Sequence, residues 1–265
     1  MSKIQKALNK AREENVRAER SKIRPLVHEE VEEPVAKEPQ KGAPRTRIQK
    51  PRPRVLERNR ILTSIADQSV LDAYHLLRTK ILQYMCEYRW NTILVTSPNP
   101  GEGKTTTAIN LGLSLARDPQ STALVVDVNL RSPKVHAYLD LDCPQGLTDY
   151  LTDGAQLPDL LVCPDEKDFV VLPAGRALQD PTDTLGSERM KSLMREMKPR
   201  YPDRYIIFDC PHLVGMPESL MLTSQVDAVL LVVEASRTSR DDVQNAFSVL
   251  EGCNVLGLVM NKLYE

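Results

Sequence analysis

Thr96-Ser97-Pro98-Asn99-Pro100-Gly101-Glu102-Gly103-Lys104-Thr105-Thr106-Thr107 separates the apolar run Thr92-Ile93-Leu94-Val95 from a helical pattern over about residues 106 to 117. A glycine-bearing turn followed by a lysine and a hydroxyl residue, set between a strand and a helix, is the context a phosphate-binding loop requires. Gly101 and Gly103 let the backbone curl so that its N–H groups face phosphate oxygens, and the helix start adds the positive end of its dipole. Pro100, Gly101, Glu102, Gly103, Lys104, Thr105 and Thr106 are therefore the candidate nucleotide-binding residues. Lys104 would neutralise the β and γ phosphates, and Thr105 would offer its hydroxyl to a magnesium ion. Pro98 stands where the pattern G-x-x-x-x-G-K-[ST] has its first glycine.

Outward from this loop, strands alternate with helices. Ala123-Leu124-Val125-Val126-Asp127, Tyr205-Ile206-Ile207-Phe208-Asp209, Ala228 to Val233 and Val255 to Met260 are short, continuous apolar runs, and Phe169-Val170-Val171-Leu172-Pro173 adds a further candidate. Such runs suit strands covered on both faces. The expected fold is α/β: a largely parallel, doubly wound sheet of the P-loop NTPase type, flanked by helices near 106 to 117, 186 to 198 and 238 to 251. Asp127 and Asp209 end two of the strands, and in an open parallel sheet the ligand crevice lies along that edge. Both are candidate magnesium ligands. A strand-ending aspartate is also a common helix cap or turn residue.

At 265 residues the chain has room for one α/β domain and tails. Its 35 basic and 36 acidic residues leave a formal net charge of -1, which gives no reason to expect nucleic acid as a partner. Five cysteines without a CxxC pair suit reduced thiols, and no stretch approaches the roughly 18 apolar residues that cross a bilayer. A soluble, cytoplasmic protein is expected.

Residues 2 to 20 place Ile4, Ala7, Leu8 and Ala11 at helical spacing, so 1 to 20 reads as an amphipathic helix, either solvated or docking on a partner or membrane surface. Residues 21 to 60, broken by Pro25, Pro34, Pro39, Pro44, Pro51 and Pro53, read as an extended or disordered linker before a nucleotide-binding domain at 61 to 265. The linker's basic block of Lys41, Arg45, Arg47, Lys50, Arg52, Arg54, Arg58 and Arg60 is either solvated or a peripheral contact for acidic lipid or an acidic partner.

Beyond the loop, Val126-Asp127-Val128-Asn129-Leu130-Arg131-Ser132-Pro133 resembles the DxDLRxP motif of the bacterial tyrosine kinases, cytosolic partners of polysaccharide chain-length regulators. Asp72 to Thr79 resembles that family's E-A-x-R-x-L-R-T helix, Gly146-Leu147-Thr148-Asp149-Tyr150-Leu151 its GLSDxL turn, and Leu172-Pro173-Ala174-Gly175 its LPAG segment. Asp180-Pro181 with Leu185 and Ser187, Phe208-Asp209-Cys210-Pro211, and Gly257 to Asn261 follow in the family's order. The resemblance covers about residues 60 to 265. It implies an ATP-binding, magnesium-dependent tyrosine autokinase that regulates exopolysaccharide or capsule chain length, recruited to the inner face of the membrane by a separate membrane partner. In it Lys104 and Asp127 would be catalytic, with Asp127 as base; Asn261 would contact the adenine edge; Asp72, His75 and Arg78 would lie in a self-association helix; and Tyr264 would be the candidate phosphoacceptor.

The departures define a second reading. Asn129 replaces the second acid of DxD, Asp72 and His75 stand where Glu and Arg are usual, His212 replaces a proline, Glu218 an aspartate, and Tyr264 is alone where relatives carry a tyrosine cluster. Of these, Asn129 and the lone Tyr264 favour a regulatory ATPase or scaffold, Asp72 and His75 bear on the self-association contacts, and His212 and Glu218 read as loop differences. A positioning ATPase of the MinD and ParA type shares the loop and sheet without the LRxP and LPAG segments. Met190, Leu193, Met194 and Met197 read as helix core, and Trp90 as packing at a strand start.

Overall fold

The computed structural model describes residues 46–166, 168–200 and 204–263. The 1–20 helix, the first part of the proline-rich stretch and Tyr264 lie outside the described residues.

The chain enters through strand β1 (Arg47–Ile48), helix α1 (Pro53–Arg58) and a 3-10 turn at Leu62–Ser64, then helix α2 (Gln68–Tyr88). Asp67 caps α2 by accepting from the Ser69 amide at 2.9 Å, and Arg89 ends it in the left-handed region at φ 55. Strand β2 (Thr92–Thr96) leads into helix α3 (Lys104–Ala116), then β3 (Thr122–Asp127). Short helices α4 (Val135–Tyr138), α5 (Leu147–Asp153) and α6 (Leu157–Leu160) precede β4 (Val162–Cys163) and β5 (Phe169–Leu172). After α7 (Thr182–Gly186) and α8 (Glu188–Arg200) come β6 (Arg204–Asp209), α9 (Pro217–Thr223), β7 (Ala228–Glu234), α10 (Arg240–Val249) and β8 (Val255–Asn261).

The eight strands form one sheet in the order β1-β4-β5-β3-β6-β2-β7-β8. The pairs through β5, β3, β6, β2, β7 and β8 are all parallel, and only β4 with β5 is antiparallel. Alternate residues feed two cores. Leu94, Val126 and Phe208 pack with Met190, Leu193, Met194, Met197 and Leu222 on one face, whereas Ile93, Val95 and Val125 pack with Ile81, Met85, Ile109 and Leu111 on the other. This is the doubly wound arrangement expected, and it explains why β2 is buried at every position.

The expected linker boundary at residue 60 is displaced. Arg47–Ile48 pairs in parallel with Val162–Cys163, and the Gln49 amide donates to the Cys163 carbonyl at 2.9 Å. Asn110 of α3 holds the next turn from both sides, accepting from the Leu62 amide at 2.8 Å and donating to the Arg60 carbonyl at 2.9 Å. Prolines had concealed this strap: Pro53 opens α1 at its first turn, where no N–H is needed. Part of the basic block is also accounted for. Arg47, Lys50 and Arg52 face Asp142, Asp165 and Asp140 of the same domain.

Two loops interlock on the β5 side. The Leu147 and Thr148 amides donate to the Pro173 and Ala174 carbonyls at 2.8 and 2.9 Å, and the Gly146 amide donates to Asp149 at 2.8 Å. A Cβ at Gly146 would lie 2.2 Å from the Pro173 carbonyl oxygen and 2.4 Å from the Gly175 nitrogen. Backbone meets backbone there, so the GLTD and LPAG segments require each other.

Candidate functional site

The ends of β2, β3 and β6 bring the predicted residues to one rim. Asp127 and Asp209 are direct neighbours in the parallel register, and Val95 of β2 pairs with Asp209. From β2 the chain turns through the glycine-bearing loop into α3, which puts Lys104 and Thr105 beside Asp209, both nearly buried. Gly101 and Gly103 adopt φ 84 and 96, the left-handed conformation for which glycine is suited. Pro98 is compatible with this loop because its carbonyl, not a missing amide, is used: it accepts from the Val214 amide at 3.3 Å, next to Leu213 donating to the Ser97 carbonyl at 2.9 Å.

Asp127 has no exposed surface. Its Oδ1 accepts from the Asn129 amide at 3.1 Å, and its Oδ2 from the Lys134 and Val135 amides at 3.0 Å each. Burial, and then the neighbouring Asp209 carboxylate, push its pKa up to about 8 against those three donors. Asp209 is equally buried and is raised to about 6, chiefly by burial, with the Thr105 hydroxyl and the Lys104 ammonium pulling the other way. Thr105 lies close, yet neither Asp209 oxygen meets a donor at full hydrogen-bond geometry. Two buried carboxyl oxygens that meet no donor among the described residues, beside a threonine hydroxyl and next to the glycine-bearing loop, form a donor set for a hard divalent cation that takes its other ligands from phosphate and water.

Asn129 is buried, and its Oδ1 accepts from the Ser132 amide at 3.3 Å, so the carboxamide that replaces an acid serves its own turn. Arg131, two residues on, donates through Nε to Glu218 at 3.2 Å and through Nη1 to the Gln179 carbonyl at 2.7 Å. Glu218 has no exposed surface, and it pairs with the partly exposed Arg131. His212 is half-buried, and burial followed by the nearby Lys104 charge lowers its pKa.

Asn261 does not stand free at the rim. Its Nδ2 donates to the Glu102 carbonyl at 2.9 Å, and next to it Lys262 Nζ donates to the Gly101 carbonyl at 2.7 Å. Glu102 itself is buried, with Oε2 accepting from the Asn99 amide at 2.9 Å and Oε1 accepting from the Thr238 hydroxyl. Lys262 and Thr238 were not singled out in the sequence, and the one local hint was a glutamate placed between two glycines. Pro100 and Gly101 are exposed and Thr106 half-buried. Away from the rim, Arg78 donates to the Ser114 carbonyl of α3 at 3.1 Å, Asp72 accepts from Gln68 at 2.8 Å, and His75 is half-buried on the same helix. Trp90 stacks on Tyr88 at 4.7 Å where β2 begins.

Fold and rim together define a P-loop nucleotide-binding protein. An AAA domain family profile matches residues 90–254. The chain is 29% identical over 208 residues to tyrosine-protein kinase YwqD of Bacillus subtilis, covering 78% of this chain and 86% of that protein. It is 33% identical over 173 residues to tyrosine-protein kinase CpsD of Streptococcus pneumoniae serotype 4, covering 64% and 75%. Among solved structures the VpsO kinase domain superposes with a TM-score of 0.64 at 27% identity, covering 75% of this chain and 98% of that one. MinD of Pyrococcus horikoshii with Mg-ADP aligns with a TM-score of 0.54 at 23% identity over 64% and 69%, which marks the shared fold alone. The chain belongs to the bacterial tyrosine-kinase family, within the AAA domain proteins.

Among the described residues no helix is long and apolar enough to cross a membrane.

Proposed function

We propose that the chain binds Mg-ATP at this rim and acts as an ATP-dependent protein-tyrosine kinase that regulates exopolysaccharide or capsule assembly with a separate membrane partner. The observation that carries the reading is Asp209, buried beside Asp127 and Thr105 with both carboxyl oxygens lacking a donor among the described residues. When bound, a magnesium ion would supply positive charge against the phosphates. Thr105 and Asp209 are the residues that would hold it. Lys104 and the N–H groups of residues 101 to 105 hold the phosphates and stabilise the charge that spreads over the γ-phosphoryl oxygens.

Asp127 is the candidate base for the incoming tyrosine hydroxyl; raised to about 8 in the ligand-free chain, it is ionised toward alkaline pH or once a cation beside it lowers that value. Among the described residues its Oδ1 accepts one N–H, from Asn129, which leaves a lone pair to receive the hydroxyl proton. The tyrosine oxygen bonds to the γ phosphorus as the bond to the β–γ bridging oxygen breaks, and ADP leaves. Tyr84 and Tyr88, 45% and 52% exposed, are accessible acceptors among the described residues. They sit at the end of α2 that precedes β2, at the sheet edge opposite the rim, so transfer to them occurs between molecules.

Asn129 supports a second reading, an ATPase or scaffold of the same family without tyrosine transfer, because its carboxamide is committed to Ser132. Purified chain should bind Mg-ATP, and Lys104→Met, with the fold intact, should abolish binding; equal affinity in the variant refutes the site. Labelled ATP with phosphotyrosine mapping separates kinase from scaffold. Under the scaffold reading Asn129→Asp raises magnesium-dependent turnover. Membrane recruitment and self-association complete the proposal.

A further inference from the structure

A loop that wraps an anion must turn its carbonyls outward so that its N–H groups turn inward. Here the peptide units around Glu102 are flanked by Gly101 and Gly103, residues that resist a flip least. Each vulnerable carbonyl meets one donor from the end of β8. Lys262 Nζ holds the Gly101 carbonyl at 2.7 Å, and Asn261 Nδ2 holds the Glu102 carbonyl at 2.9 Å. The fit is tight, since a Cβ at Gly103 would fall 1.9 Å from Asn261 Nδ2. Lys262 is in turn fixed by Glu234 at 3.0 Å, which also pairs with Arg237 at 3.1 Å. Glu102 closes the arrangement by joining Asn99 to Thr238, whose hydroxyl also accepts from the Glu234 amide at 2.8 Å. The loop, the corner after β7 and the end of β8 are thus one hydrogen-bonded unit.

We propose that Asn261 and Lys262 are positioning residues that latch the phosphate loop in its anion-receiving form, so that they govern affinity for the triphosphate and not for the base. The proposal rests on the reading of this loop as a nucleotide site, and it gives Asn261 a role other than contact with the adenine edge. The latch acts through Gly101 and Glu102 and touches no ligand itself.

The test is calorimetric titration of the full chain with Mg-ATP and, separately, with magnesium and inorganic tripolyphosphate. Asn261→Ala and Lys262→Met should each weaken both probes by the same factor, about tenfold, as expected for one lost hydrogen bond from a cradle donor. Asn261→Asp, which sets a carboxylate against the Glu102 carbonyl, should weaken both further. Lys262→Arg keeps a cation within reach of Gly101 and Glu234 and should stay within about threefold of wild type. Melting temperature is read on every variant, and Lys262→Arg carries the comparison if Lys262→Met melts early. A loss confined to Mg-ATP, with tripolyphosphate binding intact, overturns the latch and restores the base contact. Unchanged affinity for both probes in Asn261→Ala and Lys262→Met overturns it as well. A wild-type chain that binds neither probe refutes the nucleotide site, and the latch with it.

Discussion

Arg131→Ala removes the side chain that pairs with Glu218 among the described residues. Glu218 has no exposed surface, its Oε1 accepts from Arg131 Nε at 3.2 Å, and its Oε2 meets no partner among the described residues. Deleting one member of a fully buried pair costs ~3–5 kcal/mol, because the other charge is left uncompensated. Arg131 is 41% exposed, so water screens part of the interaction and roughly 2 kcal/mol is the expected loss. Glu218→Gln keeps an acceptor for Arg131 while removing the charge, and should cost about 1 kcal/mol. In the double variant no buried carboxylate remains to be stranded. Its total should fall at least about 1 kcal/mol short of the sum of the single losses. Urea unfolding of the four proteins with an unchanged m-value reads this coupling directly. Arg131→Ala should also lower Tm by roughly 4–8 °C for a domain of this size. A coupling below about 0.3 kcal/mol would refute the argument that Arg131 exists to compensate Glu218, and with it the claim that the turn after β3 is anchored to α9.

Gly146→Ala should lower stability by about 3 kcal/mol, from overlap with the Pro173 and Gly175 backbone and loss of the paired hydrogen bonds, while Gly154→Ala, which meets nothing, should cost about 1 kcal/mol. Similar unfolding midpoints for the two would contradict the interlock. Asp127 and Asp209 sit at about 8 and about 6, so the folded chain retains protons the unfolded chain has released, and unfolding free energy falls as pH rises through that range. His136 and His212, lowered by burial, act oppositely only below the ordinary imidazole value, which leaves roughly pH 7 to 8.5 as the window to measure. Tm of the ligand-free chain should drop across it, and Asp127→Asn should flatten the drop; a rising Tm is the contrary result. Arg52 donates from its backbone amide, Nε and Nη2 to Asp140, so Asp140→Asn should expose residues 46 to 60 to limited proteolysis, more so at high salt; an unchanged cleavage pattern counts against the strap.

The sequence disclosed what local pattern encodes. β2, β3, β6 and β7 are apolar because helices cover both faces of the sheet, and their period and length are visible without any partner. β8 has an apolar run too, but as an edge strand it is only half-buried and leaves Leu258 and Met260 exposed, against the expectation of cover on both faces. Lys104, Thr105, Asp127 and Asp209 were legible for the same reason, since each follows or ends such a run. β1 and β4 were not. Each is two residues long, and the pairing of Arg47–Ile48 with Val162–Cys163 leaves no periodicity in a basic, proline-broken stretch. The contacts of Glu102 with Thr238, and of Gly101 with Lys262, span 136 and 161 residues, so no spacing could reveal them. Asn261 was legible as a site residue through resemblance, while its hydrogen bond to the loop required the fold.

The stitching of the Ser97 and Pro98 carbonyls to Leu213 and Val214 bears on how fast a ligand arrives. Fixing a residue's backbone costs ~1–2 kcal/mol, and in this loop that loss is incurred when the chain folds, before any ligand is met. Capture then proceeds in a single kinetic step whose observed rate climbs linearly with ligand concentration, and a plateau in stopped-flow traces would betray a loop that still has to find its shape.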